Sequence, residues 1–282
     1  MTALSLIGNA LISLGPAVVL FALFLARRPS LFLLALTSSF FALVALLFSS
    51  LIWYALPGRA ESLQFGYESP VGTQAIAIVI AVLSQELVRW GSWFLIRRAE
   101  GGIMLASEFP RSPFHRFSMS AAFGYGYGLL VVLIMHITPL IESAGPGIRP
   151  AKSCPGVPDV LLASLLMMFQ FLHHIAWTIL LFHGMFSTVP PLTFPASGST
   201  TNLSDQATAP AAARGAPSRG PGKWALVAYV LVSHMGVSMT SLMQSMPSIV
   251  GCIAPLVVSG AVLAVSGYLV WGVVEATVKK AS

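Results

Sequence analysis

The sequence predicts an all-α polytopic membrane protein with seven transmembrane helices, its N-terminus lumenal or extracellular and its C-terminus cytosolic. Three observations lead there. Of 282 residues, 56% are hydrophobic and only 9% charged, whereas a soluble domain carries about 25% charged residues. A water-soluble globule, a disordered chain and a disulfide-stapled secreted module are excluded on that ground. The apolar residues also gather into seven stretches of the length one span needs, roughly 20 residues. Finally, the basic residues divide unequally between alternate loops.

The stretches cover 3–26, 31–56, 71–96, 117–140, 159–186, 224–246 and 249–275. None shows the period-two alternation of a barrel strand, and a continuous apolar run in lipid satisfies its backbone as a helix. The first stretch has no basic residue before it and Arg27-Arg28 after it. That reverses the charge order of a signal peptide, so a retained helix with an outward N-terminus is expected. The loops after spans 1, 3 and 5, with the tail, hold Arg27, Arg28, Arg97, Arg98, Arg111, Arg116, Arg214, Arg219, Lys223, Lys279 and Lys280. The loops after spans 2, 4 and 6 hold only Arg59, Arg149 and Lys152, and Arg89 lies within span 3. Eleven against three places the tail in the cytosol. The net charge of +6 is mostly accounted for by this one face. It does not imply nucleic acid, because aromatics are not interleaved with the bases.

Residues 1–282 thus read as a single seven-helix membrane domain. Its connections are short except for 187–223, which is rich in Pro, Ser, Thr, Ala and Gly and has no hydrophobic periodicity. Such a composition cannot bury a core and reads as a flexible cytosolic linker between helices 5 and 6. The sequon Asn202-Leu203-Ser204 falls in it and is expected to stay unmodified on that side of the membrane. Cys154 and Cys252 lie near the same membrane face; a disulfide in an oxidising lumen and two unbridged thiols are both open.

Polar residues inside the spans carry the functional information. Gln85, Glu86 and Arg89 lie on helix 3, with Glu86 and Arg89 at i and i+3 on a common face. An intramembrane charge costs about 2.5–3.5 kcal/mol or more unless paired, so this face should point into the bundle. It reads as a structural pair that locks packing or as part of a proton relay. His173 and His174 on helix 5 and His234 on helix 6 fall at similar depth at about 1.5 Å rise per residue. His174 and His234 are expected either to hydrogen-bond across helices or to bind a metal together with Glu86. Helix 4 holds Ser120, Gly124 and Gly128, a small-residue ladder at i, i+4 and i+8, with Gly126 as a further notch. A ladder of this kind removes side chains from one stripe so that another helix can approach closely. That helix belongs either to this chain or to a partner subunit.

Several catalytic patterns are missing. Asp159 and Asp205 are the two aspartates, and neither is in mid-span, so no intramembrane aspartyl dyad can form in this chain. Ser259-Gly260 lacks the glycine two residues earlier expected of a rhomboid-type nucleophile turn, and there is no His-Glu-x-x-His helix. Helix 7 has no lysine before Lys279 to carry a retinal Schiff base. A rival class remains: an intramembrane metal-dependent hydrolase or transporter using Glu86, His174 and His234. A third is a receptor with a small ligand.

The order of these features resembles the anterior pharynx-defective family, the seven-pass scaffold subunit of gamma-secretase. The resemblance runs from Gly15-Pro16-Ala17 and Leu20-Phe21, through Leu51-Ile52-Trp53-Tyr54, to Ser84-Gln85-Glu86-Leu87-Val88-Arg89 and Arg97-Arg98-Ala99-Glu100-Gly101. It resumes at Arg111-Ser112-Pro113, Phe123-Gly124, Gly128 and Gly145-Pro146-Gly147, then at His174 with Trp177 and at Ser233-His234. The resemblance implies a non-catalytic subunit that joins nicastrin early and holds presenilin and the presenilin enhancer subunit, with no cofactor. The assembled complex would cleave type I membrane stubs such as Notch receptors. The expected location is the endoplasmic reticulum, Golgi, plasma membrane or endosomes. Gly124 and Gly128 would serve assembly and packing, and His174 and His234 the bundle interior. Helices 2–4 are expected to form partner surfaces, and helices 5 and 6 to enclose a polar interior. Two departures stand out. Ser120 replaces the glycine that usually begins the ladder, and 187–223 looks like an insertion relative to animal members, which suggests a divergent eukaryotic source.

Overall fold

The computed structural model describes residues 3–55, 71–106, 114–144, 150–186, 223–245 and 248–281. These residues form seven long helices: α1 Ala3–Leu20, α2 Pro29–Ala55, α3 Val71–Ala106, α4 His115–Ser143, α5 Asp159–Phe186, α6 Lys223–Thr240 and α7 Ile249–Ala281. Each gives a segment long and apolar enough to cross a membrane, so the chain is an all-α polytopic membrane protein. The linker expected at 187–223 lies outside the described residues up to 222, as do Asn202 and the rest of its sequon.

The helix limits depart from the hydropathy limits in interpretable ways. α1 continues as a π-turn over Phe21–Leu25, closed by Ala26 N–H donating to the Phe21 carbonyl at 2.8 Å. α3 runs to Ala106, ten residues beyond the apolar stretch. Helical propensity persists through Arg97-Arg98-Ala99-Glu100 after hydrophobicity has stopped. α6 tightens into a 3₁₀ turn at Ser241–Ser245, a frequent way for an α-helix to end.

α4 and α5 form the centre. In their most apolar windows 61% and 56% of residues are buried, against 17–33% in the other spans. α5 packs on α1, α4, α6 and α7, while α2 packs on α3 and α4, and α3 on α6. The largest core cluster joins Trp93, Phe123, Tyr127, Trp177, Phe182 and Phe186. Large apolar side chains such as Leu11, Phe40, Leu47, Phe94, Tyr268 and Trp271 are exposed on the outside of the bundle. Such a surface would be an aggregation hazard in water and is matched by lipid.

The small residues of α4 explain how its neighbours come so close. A Cβ on Gly124 would lie 2.8 Å from Ile175 Cα, and one on Gly128 2.9 Å from His174 Cβ. Gly126 faces the opposite way, where a Cβ would meet the Ala35 carbonyl oxygen of α2 at 1.9 Å. Ser39 Oγ exploits that approach by donating to the Gly126 carbonyl at 2.9 Å. Ser120 turns its hydroxyl back to the Arg116 and Phe117 carbonyls of its own helix. The Gly124–Gly128 stripe is therefore covered by α5 of this chain, and a partner helix cannot occupy the same stripe.

Candidate functional site

Five polar residues of α3, α5 and α6, Glu86, Arg89, Gln170, His174 and His234, converge on one network. Its hub is Arg89, whose side chain is fully buried. One turn before it, the Glu86 carboxylate accepts from Arg89 Nη1 at 2.6 Å through Oε1. The i, i+3 spacing makes this bond local and is why it was legible in the sequence. The same Oε1 accepts from His234 Nδ1 of α6, also at 2.6 Å. Arg89 Nη2 meanwhile lies 2.6 Å from Nδ1 of His174 on α5. One ion pair thus touches two histidines from two other helices.

Donor and acceptor roles follow from the chemistry. A guanidinium only donates, so His174 Nδ1 must accept, which leaves its ring proton on Nε2. That nitrogen lies 3.2 Å from the Gln170 amide nitrogen; two N–H groups cannot bond each other, so it is the amide turned over, oxygen toward the ring, that completes the chain. A carboxylate only accepts, so His234 donates from Nδ1. With the amide so turned, each step of the path Gln170–His174–Arg89–Glu86–His234 has one donor and one acceptor, and its ion pair has no net charge.

Aromatic rings wall the network. Tyr127 of α4 lies beneath Arg89, its ring centroid 4.8 Å from the guanidinium carbon, and its hydroxyl donates to the Gln85 carbonyl at 3.2 Å. This cation–π contact partly replaces the water that Arg89 has lost. Trp177 packs against His234 at 4.4 Å and His173 at 4.9 Å between ring centroids. His173 is itself fully buried. Backbone groups of Phe169 and Ser259 approach its ring without reaching hydrogen-bond geometry. The Gln85 side-chain oxygen and Arg89 Nε are buried without a hydrogen-bond partner.

The structure therefore brings together Gln85, Glu86, Arg89, His174 and His234, while Gly124 and Gly128 abut the backbone around His174 and Ser120 stands apart nearer the start of α4. The expected direct bond between His174 and His234 is replaced by a bridge through Glu86 and Arg89, with the two rings 5.4 Å apart. A metal held by Glu86, His174 and His234 would meet the Arg89 guanidinium already bonded to Glu86 and His174. Among the described residues no group of three His, Cys, Asp or Glu is arranged to hold a metal ion. Sequence reasoning missed Tyr127 and Gln170. Gln170 stands at i−4 from His174, a spacing that could have flagged it, whereas nothing local marks Tyr127 as a partner of Arg89.

A second ion pair also escaped the sequence reading. Arg116, expected as a loop base, lies in the first turn of α4 and bonds Glu100 of α3 through Nε at 2.6 Å and Nη2 at 3.2 Å. Its guanidinium also covers the Phe186 ring at 4.6 Å. The cysteine question is resolved as a bridge: Cys154 and Cys252 form a disulfide, with Cα atoms 5.7 Å apart.

Comparison with known proteins matches the sequence to one family. The profile of the Aph-1 protein family covers residues 4–276. The gamma-secretase subunit Aph-1b of Danio rerio is 29% identical over 147 residues, which are 52% of this chain and 56% of that protein. The gamma-secretase subunit APH-1B of Homo sapiens is 28% identical over 189 residues, 65% of this chain and 70% of the human protein. The gamma-secretase subunit APH1-like of Arabidopsis thaliana is 25% identical over 188 residues, with 65% and 72% covered. With the family profile spanning nearly all seven helices and relatives drawn from animals and a plant, this chain belongs to the Aph-1 family.

Proposed function

We propose that the chain is a non-catalytic scaffold and assembly subunit of a gamma-secretase complex. In that role it stabilises presenilin, nicastrin and the presenilin enhancer subunit for intramembrane cleavage of type I membrane proteins, with Notch receptors among the substrates where they exist. The observation that carries this reading is the Gln170–His174–Arg89–Glu86–His234 network. Its polar groups bond mainly to one another and tie three helices together, an arrangement suited to holding a shape. Lipid offers helices no hydrophobic drive to associate, so buried polar bonds and close small-residue packing must hold such a bundle. The lack of a mid-span aspartate supports assigning the proteolytic chemistry to a partner.

The proposed topology keeps the N-terminus lumenal or extracellular and the C-terminus cytosolic. The charge asymmetry of the loops supports it, and so does the disulfide, since such bonds persist in oxidising compartments. Residence in the endoplasmic reticulum, Golgi, plasma membrane or endosomes follows from that reading. The test is affinity purification of the full chain from its own membranes in mild detergent. Presenilin, nicastrin and enhancer homologues should co-elute in stable proportion. Recovery of the chain alone, together with unchanged intramembrane protease activity in membranes lacking it, would refute the scaffold role.

A further inference from the structure

The Cys154–Cys252 disulfide ties the turn before α5 covalently to the first turn of α7. Cys154 sits in a compact turn before α5, in which Cys154 N–H donates to the Ala151 carbonyl, Val157 N–H to Cys154, and Ala151 N–H to Val157. That turn is internally bonded and forms a firm anchor. Cys252 lies in the first turn of α7, where Gly251 N–H reaches both the carbonyl and the side-chain oxygen of Ser248. Three residues further along stands Pro255, inside the helix.

The position of that proline matters. It has no N–H to donate to the Gly251 carbonyl, and its ring crowds that carbonyl, so the first turn of α7 is weakly joined to the remainder. Beyond the proline, α7 is seated by a seam of buried residues at intervals of seven: Ser259, Ser266 and Val273, in register with Cys252. Ser266 also exchanges a hydrogen bond with Tyr229 of α6 at 2.8 Å, and Ser259 lies against His173 of α5. The body of the helix therefore has its own attachments; at its start Gly251 and Pro255 are also buried and α7 meets the 3₁₀ turn at Ser241–Ser245, and the disulfide adds the covalent tie to the turn before α5.

We propose that the Cys154–Cys252 bridge is a redox-controlled latch on the first turn of α7, with Pro255 as its hinge. Closure is a thiol–disulfide exchange with the oxidised form of a dithiol protein. The two cysteine thiols lose two protons and two electrons, the bond between Cys154 and Cys252 forms, and the oxidant's disulfide becomes a dithiol. A reduced dithiol reverses the exchange, releasing the first turn to pivot while residues beyond 256 stay seated. The device belongs to this chain's own fold and does not depend on the scaffold reading.

The chain has two cysteines, so thiol counting is unambiguous. Purified full-length protein in detergent micelles, denatured and treated with a polyethylene-glycol maleimide, should take up no label without dithiothreitol and two labels after it. Amide hydrogen exchange of the folded protein is then compared before and after reduction. Residues 249–254 should exchange faster by about tenfold or more on reduction, with residues 265–278 within about twofold. Reducing protein that has already folded avoids any folding defect in a C154S/C252S variant, which should reproduce the reduced pattern. P255A, which restores a donor to Gly251, should suppress the rise in reduced protein. Label uptake without reductant, unchanged exchange at 249–254, or loosening of the whole helix would each overturn the latch, and an equal rise in P255A would overturn the hinge.

Discussion

Gly126→Ala is the most discriminating single substitution in the bundle, because the added methyl has nowhere to go. It would sit 1.9 Å from the Ala35 carbonyl oxygen, 2.6 Å from the Ala35 carbonyl carbon and 2.3 Å from Ser38 Oγ. The obstacle is the α2 backbone, so no rotamer change relieves it. Restoring ordinary contact requires α2 and α4 to separate locally by about 1.5 Å, in an interior packed as densely as a crystal. Overpacking of this kind costs about 1–3 kcal/mol. The bond from Ser39 Oγ to the Gly126 carbonyl would stretch or break, adding about 0.6 kcal/mol for a membrane-buried bond. The better helix propensity of alanine offsets at most about 1 kcal/mol. The net expectation is a loss of about 1–3 kcal/mol. Gly124→Ala and Gly128→Ala meet α5 at 2.8 and 2.9 Å and should cost less, about 1 kcal/mol each. Gly91→Ala and Gly236→Ala, with nothing within 4 Å, are the controls. The assay is reversible unfolding of the purified chain in mixed micelles. A Gly126→Ala protein within about 0.5 kcal/mol of those controls would refute the packing argument, since that is the ordinary scatter of neutral substitutions.

Three further expectations follow from the polar network and the ladder. Arg89→Met strands the Glu86 carboxylate and leaves His174 Nδ1 without its donor, so it should destabilise by about 3–5 kcal/mol; in a double-mutant cycle Glu86→Gln should recover part of that loss, and strict additivity would show the pair is not coupled. Tyr127→Phe keeps the ring under Arg89 and removes only the bond to the Gln85 carbonyl, so its unfolding free energy should fall by about 0.6 kcal/mol, whereas Tyr127→Leu should cost clearly more. Gly128→Leu should leave membrane insertion intact yet abolish co-purification of the partner subunits, because displacing α5 at His174 deforms the whole network; normal assembly in that variant would contradict the proposed role.

The number of spans, their order and the burial of the Glu86–Arg89 face were all legible in the sequence. Each depends on local quantities: the length of an apolar run, the cost of a charge in lipid, and the facing of residues one turn apart. The extent of the helices was less so. Hydropathy ends where the bilayer ends, and α3 continues helically through Arg97 and Arg98 into the polar segment. Arg116 illustrates a different gap. By composition it belonged to a basic loop, yet the fold brings it onto Glu100, a partner 16 residues away whose burial only the α3–α4 contact creates.

The sequence by itself determined that this is a seven-helix membrane protein, that its charges and small residues sit at defined positions along those helices, and that it resembles the Aph-1 family. Only the tertiary structure decided which helix fills each notch, that Arg89 bridges to His174 while Glu86 bridges to His234, that Tyr127 supports the hub, and that Cys154 and Cys252 are bonded. The physical reason is that a helix's own sequence specifies which residues share a face and a depth, but not how it is rotated against its neighbours. That rotation is set by all the close contacts together, and in lipid small steric notches and a few buried hydrogen bonds supply most of them.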